Sequence, residues 1–216
     1  MGDSEVKTVI RRVSAAIAAG AALITIAIAP SSAAPKFEPY AVPKAGKMQA
    51  AAVGEAQWTV IIPKTTDPRY TGGDPRCADV AWNSVDNGAR VILFDCYGTP
   101  NQTWAPIWVA SDNPEGTAMF VNGNSGKCLD LSGNAPENGA AVIQWNCHNG
   151  ANQRWDVVLP AGADPETHTW PVLFKNRATG KCLDLDHGGS ANGTGFLQWD
   201  CHGGDNQLFT LYKAYS

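Results

Sequence analysis

Little of this 216-residue chain is charged, and the charge it carries has no basic bias. Asp, Glu, Lys and Arg make up 17% of the residues and sum to a formal net charge of -4. A nucleic-acid partner requires clustered Lys and Arg that displace counterions from phosphate, and no such stripe is present. The spacings C-x-x-C and H-x-x-x-H are both missing. That removes the common Cys/His metal frameworks, although Cys147-His148 and Cys201-His202 set the two residue types side by side. There is no G-x-S-x-G elbow, and Gly123-Asn124-Ser125-Gly126-Lys127-Cys128 lacks both the spacing of a phosphate-binding loop and its Ser or Thr. Neither metal nor cofactor is expected. Long apolar runs are scarce beyond the N-terminal region, whereas Gly (22), Pro (14) and Trp (8) are plentiful, which suits many short strands and turns better than helices.

The N-terminal region reads as an export signal over residues 1–34. Lys7, Arg11 and Arg12 form a positive start, Val13 to Ala29 are almost wholly small or apolar, and Pro30-Ser31-Ser32-Ala33-Ala34 offers the small residues a signal peptidase requires. A membrane anchor would use the same residues, but the run is short for a span and rich in Ala. Cleavage leaves no stable membrane insertion and a secreted, extracellular product. Residues 35–57 are rich in Ala, Pro and Gly without helical or strand periodicity and read as a disordered linker or propeptide.

The rest is a triplication. In each copy a cysteine is followed by Asp two places on, an aromatic seventeen on, a second cysteine nineteen on and an Asn-Gln-x-aromatic box starting twenty-four on. The copies run Cys77, Asp79, Phe94, Cys96, Asn101, Gln102, Trp104; then Cys128, Asp130, Trp145, Cys147, Asn152, Gln153, Trp155; then Cys182, Asp184, Trp199, Cys201, Asn206, Gln207, Phe209. The leading cysteines recur after 51 residues (77 to 128) and 54 (128 to 182), about one supersecondary motif each. Six cysteines in an exported chain imply a disulfide framework. The repeat selects one pairing: Cys77 with Cys96, Cys128 with Cys147, Cys182 with Cys201.

Turn chemistry repeats too. Asn87-Gly88, Asn138-Gly139 and Asn192-Gly193 stand at the same offsets before an apolar run, as if each supplied the positive φ of a tight hairpin. Three units of about four strands, near residues 58–110, 111–163 and 164–216, none able to bury its own apolar face, predict an all-β pseudo-threefold barrel, the β-trefoil.

The run Cys-Leu-Asp-Leu, Gln-Trp-x-Cys and Asn-Gln-Arg-Trp in unit two resembles the ricin B-chain (R-type) lectins with their Q-x-W repeats, a family that also furnishes binding modules of secreted glycoside hydrolases. The resemblance spans Trp58 to Ser216. It implies shallow sugar pockets, one per unit, for galactosides or xylan-like polymers, with the chain acting as a non-enzymatic, multivalent, monomeric lectin.

A sugar offers adjacent hydroxyls on its edge and a C–H patch on its face, so a pocket needs a carboxylate, amides and an aromatic wall. By resemblance, Asp130 and Asp184 are the carboxylates, Trp145 and Trp199 the walls, Asn152 and Asn206 the amides, and Gln153 and Gln207 their supports. Asp79, Phe94, Asn101 and Gln102 take those places in unit one, where Phe replaces Trp and the start is Cys-Ala-Asp. Trp104, Trp155 and Phe209 are expected in the core. Many relatives carry Gln four residues before the second cysteine, where this chain has Ile92, Ile143 and Leu197; Gln144 and Gln198 stand one place later. Either a bulge brings those glutamines to the pocket or alternation turns them away.

A glycosidase would need two carboxylates roughly 5 to 10 Å apart, and no unit repeats a second acid. The four histidines, in a link (His168), a Gly-rich loop (His187) and directly after cysteines (His148, His202), read as solvated loop residues. The alternative function is a protein-binding trefoil, such as a protease inhibitor acting through an exposed loop like that at residues 160–167.

Overall fold

The computed structural model describes residues 38–40, 57–163 and 171–214. The predicted signal, most of the predicted linker, His168 and the end of the 160–167 loop lie outside those residues. Unit one contributes β1 (Thr59–Pro63), β2 (Arg76–Val80), β3 (Val91–Asp95) and β4 (Trp104–Val109). Unit two contributes β5 (Thr117–Asn122), β6 (Cys128–Leu131), β7 (Val142–Trp145) and β8 (Trp155–Val158). Unit three contributes β9 (Leu173–Asn176), β10 (Cys182–Leu185), β11 (Phe196–Trp199) and β12 (Phe209–Lys213).

Six strands form a closed antiparallel barrel in the order β1, β4, β5, β8, β9, β12. Val172 and Phe209 exchange backbone hydrogen bonds at 2.8 Å to close the ring. The remaining strands pair as β2–β3, β6–β7 and β10–β11. Those three hairpins touch through bridges Arg90 to Ile143, Ala141 to Leu197 and Ile92 to Gly195, a triangle with one such bridge per pair of units. The fold is therefore the β-trefoil that the triplication predicts.

Strand alternation explains the core. In β6, Leu129 and Leu131 turn inward while Cys128 and Asp130 lie on the opposite face, and β2 and β10 repeat the arrangement. Trp104, Trp155 and Phe209 are fully buried, as expected. Trp104 and Trp155 also donate their indole N–H to Ala78 O at 3.0 Å and Leu129 O at 3.3 Å, so the one polar atom of each ring is satisfied inside the barrel. Phe120, Phe174, Phe196 and Phe209 pack among them, with Phe120 edge-on to Phe174 at 5.0 Å between centroids. The disulfides join Cys77 to Cys96, Cys128 to Cys147 and Cys182 to Cys201, each within its own unit.

Two expectations are corrected. The Asn-Gly pairs are not two-residue hairpin tips: ten residues separate β2 from β3, and within each pair the glycine alone has a positive φ, 85° at Gly88, 87° at Gly139 and 89° at Gly193. Each glycine instead bends its loop so that the backbone docks on the next unit. Gly88 N–H donates to Gln144 O, Gly139 N–H to Gln198 O, and Gly193 N–H to Leu93 O, at 2.8–2.9 Å. Glu38–Tyr40, inside the segment read as a disordered linker, run antiparallel to the free edge of β12. Tyr40 N–H donates to Leu211 O and Lys213 N–H to Glu38 O. An unpaired barrel-edge backbone is a ready template for three extended residues, too few to show a period.

Candidate functional site

The hairpin register assembles one pocket per unit. Cys128 faces Trp145 and Asp130 faces Ile143; Cys182 faces Trp199 and Asp184 faces Leu197; Cys77 faces Phe94 and Asp79 faces Ile92. Carboxylate and aromatic thus share a strand face in every unit. The walls stay partly open to solvent, Trp145 at 42%, Trp199 at 44% and Phe94 at 37% exposed.

A short 3₁₀ turn brings the amides to each carboxylate: Pro100–Gln102, Ala151–Gln153 and Asp205–Gln207. In unit two, Asn152 Nδ2 donates to Asp130 Oδ1 at 3.0 Å and Gln153 Nε2 to Asp130 Oδ2 at 2.8 Å. In unit three, Asn206 and Gln207 hold the two oxygens of Asp184 at 2.8 and 2.7 Å. In unit one both amides converge on a single oxygen, Asp79 Oδ2, from Asn101 at 3.0 Å and Gln102 at 2.8 Å. Gln153 is wholly buried, also donates to Asn146 O, and accepts from the His148 N–H through Oε1. Gln207 does the same with Asp200 O and the His202 N–H. These glutamines support the pocket and do not line it.

Gln144 and Gln198 are not in the pockets. No bulge interrupts the hairpins; Gln144 pairs with Leu129 and Gln198 with Leu183, on the face opposite the tryptophans, and both are wholly buried. Gln144 Nε2 donates to Ser84 O at 3.0 Å and Asp86 O at 2.9 Å in the preceding unit, and its Oε1 accepts from Ser125 Oγ at 2.6 Å. Gln198 likewise grips Ala135 O and Glu137 O and accepts from Thr179 Oγ1.

The histidines after the cysteines are exposed loop residues, as expected, but their rings also reach the carboxylates. His148 Nε2 stands 3.5 Å from Asp130 Oδ2 and His202 Nε2 stands 3.4 Å from Asp184 Oδ2. Each Nδ1 accepts a backbone N–H, from Gly150 at 3.1 Å and Gly204 at 3.0 Å. A neutral ring so held carries its proton on Nε2, pointed at the carboxylate. The glycines are needed for space: a Cβ at Gly150 would come within 2.6 Å of the His148 ring. Unit one has Thr99 at that place and Tyr97 in place of the histidine. The signal was available as the repeated Cys-His-x-Gly of units two and three. In unit three the loop after β10 adds Asp186 and His187 to the wall of a cleft shared with Asp184, Leu197, Trp199, His202 and Asn206. His187 Nδ1 lies 2.6 Å from Asp186 Oδ1.

Burial pushes the carboxyl groups of Asp79, Asp130 and Asp184 above the ordinary 3.8, an effect the amide hydrogen bonds only partly offset. Ligand hydroxyls that donate to these oxygens need the ionised form, so binding is expected at neutral pH and lost as pH falls through the raised values. Stability runs the other way for these three groups. A folded value above the unfolded one means that their contribution is full below the ordinary 3.8 and declines as pH rises through the folded value. Titrating binding and melting temperature together between pH 7 and pH 4 checks both signs; binding that persists unchanged to pH 4 contradicts the role of the carboxylates.

The sequence profile described as "Ricin-type beta-trefoil lectin domain-like" matches residues 54–145, 106–169 and 151–216. The chain belongs to this ricin-type lectin family. A seed lectin from Trichosanthes anguina is 29% identical over 118 residues, 54% of this chain but 20% of the seed lectin. Among solved structures, the designed threefold-symmetric protein ThreeFoil superposes with a TM-score of 0.61 at 26% identity, covering 72% of this chain and 98% of its own. An exo-beta-1,3-galactanase from Clostridium thermocellum gives 0.62 at 25% identity over 75% of this chain, which spans 31% of that enzyme. Both superpositions cover about three quarters of this chain, the part that forms the β-trefoil.

Proposed function

We propose that the protein is a secreted, non-catalytic lectin that binds galactoside- or xylan-like glycans through its Asp, aromatic and Asn pockets, used together on one polymer or glycan-coated surface. The observation that carries this reading is the repeated pairing of a half-exposed indole with a buried carboxylate fixed by two amides. The indole offers a flat apolar face to sugar C–H groups, and the carboxylate accepts from neighbouring hydroxyls. Asn152 Nδ2 also reaches Leu131 O at 3.3 Å, a long contact that a ligand hydroxyl can take over. Membership of a lectin family and similarity to a seed lectin and to part of a galactanase support a carbohydrate ligand. Three intramolecular disulfides suit an oxidising, extracellular setting. The carboxylate, amide and wall recur without a repeated second acid, which suits binding rather than glycoside cleavage.

The test is retention on a glycan array and on insoluble polysaccharides, with competition by simple sugars, for the wild type and the Asp130→Ala, Asp184→Ala double variant. A hydrogen bond to a charged group contributes about 1.5–3 kcal/mol, so each altered site should weaken by roughly 10- to 150-fold. Equal binding by a folded double variant would make the aspartates structural. A wild type that ignores every glycan would favour the protein-binding trefoil.

A further inference from the structure

Unit one differs from its sisters in ways that point in one direction. Trp82 is 97% exposed and sits at φ 60°, ψ 22°, a left-handed conformation that a bulky side chain rarely adopts. Nothing in the fold requires an indole there, because the same place holds Gly133 in unit two and His187 in unit three. His187 is similarly exposed, at 94% for its side chain, and still lines the unit-three cleft. By threefold equivalence, Trp82 stands at the mouth of the unit-one pocket. Its loop is held in place by Asn124 Nδ2, which donates to Asn83 O at 3.1 Å. Tyr97, 68% exposed, replaces the histidine, and Phe94 supplies the usual wall. By the same equivalence the unit-one site carries three aromatics, Trp82, Phe94 and Tyr97, where the others carry one aromatic and one or two histidines. Its carboxylate is intact, and with both amides on Oδ2 the Asp79 Oδ1 takes no hydrogen bond among the described residues.

We infer that Trp82 makes unit one a separate site for all-equatorial pyranoses, the gluco- and xylo-configured units of β-linked oligosaccharides, whereas units two and three take galacto-configured sugars. This rests on the lectin reading given above. A ring whose hydroxyls are all equatorial exposes axial C–H groups on both faces, so two aromatic surfaces can cover it. The axial hydroxyl of a galacto-configured ring interrupts one face and leaves a single apolar side, which suits one indole beside a hydrogen-bonding imidazole. The free Asp79 oxygen then accepts from an equatorial hydroxyl on the ring edge.

The experiment titrates the full chain with xylohexaose and, separately, with methyl β-galactopyranoside, following indole N–H resonances by NMR. The variants are Trp82→Gly, Trp82→Phe and the Asp130→Ala, Asp184→Ala double. Glycine suits φ 60° and already occupies this place in unit two, so W82G keeps the fold. Xylohexaose affinity should fall about tenfold or more in W82G, recover substantially in W82F, and survive in the double variant; the galactoside should be unaffected in W82G and lost in the double variant. Undiminished xylohexaose binding by W82G, or its loss in the double variant, overturns the assignment. Galactoside binding without xylohexaose binding overturns it alone, leaving the lectin reading in place. Binding of neither sugar, nor of any glycan on the array, overturns both.

Discussion

Full reduction of the three disulfides should unfold the chain at room temperature. Each bridge closes a loop between cysteines 19 residues apart, and a loop of that size is worth roughly 3 kcal/mol through the restricted unfolded chain. Together they contribute about 9 kcal/mol, within the 5–15 kcal/mol that separates typical folded domains from their unfolded states. Access is unequal. Cys147 and Cys201 are exposed, whereas Cys77, Cys128 and Cys182 are buried and Cys96 nearly so. A thiol reductant therefore reaches units two and three from solvent, while the unit-one bridge waits for opening. Far-UV circular dichroism and tryptophan fluorescence against denaturant, with and without reductant, give the comparison, and mass spectrometry of alkylated intermediates gives the order. An unchanged midpoint after full reduction would mean that the barrel holds without its staples.

Gln144→Ala should be nearly as damaging as losing a disulfide, although the residue touches no proposed ligand. Its amide satisfies two backbone carbonyls of the preceding unit and its oxygen takes the Ser125 hydroxyl; Gln144 itself is wholly buried and these contacts are partly so. Truncation leaves three polar groups short of partners and a void between hairpins. At about 1–3 kcal/mol for each such group, with some relief from relaxation, the loss should be roughly 3–4 kcal/mol. For a domain of this size that lowers the melting temperature by roughly 10 °C. The same contact seats the pocket wall. Trp145 Cζ3 lies 3.8 Å from the Cβ position above Gly88, so the indole rests on the loop that Gln144 holds. Calorimetry should show Gln198→Ala behaving alike, since its bonds to Ala135 O, Glu137 O and Thr179 are equivalent. A shift under 2–3 °C would show that water replaces the amide.

What could be read from the residues was set by how far each contact reaches along the chain. The triplicated Cys, Asp and Asn-Gln spacings prescribe a disulfide and a carboxylate-amide cluster inside one unit, and those are present in all three. Trp104, Trp155 and Phe209 were legible as core because their place in the repeat is fixed by a strand face. Gln144 was ambiguous because its partners lie about sixty residues upstream, beyond any local period. The contact of His148 with Asp130 is hidden for a related reason: the carboxylate stands on another strand, and only the paired glycine hints that an imidazole needs room. Trp82 carried no pattern at all, since the three units hold Trp, Gly and His at that place. Glu38–Tyr40 pair with β12 through backbone alone, which leaves nothing for composition to reveal.

The docking of each Asn-Gly loop has a direction. The loop of unit one lands on unit two, that of unit two on unit three, and that of unit three returns to unit one; Asn87, Asn138 and Asn192 accept from Asn146 N–H, Asp200 N–H and the Arg76 guanidinium in turn. Every unit thus carries both a plug and a socket, and neither can meet within a single copy. Such a head-to-tail contact closes after three members and admits no fourth. Because the three units are joined in one chain, their loops are free to differ while the ring contacts repeat, as Trp82, Gly133 and His187 do.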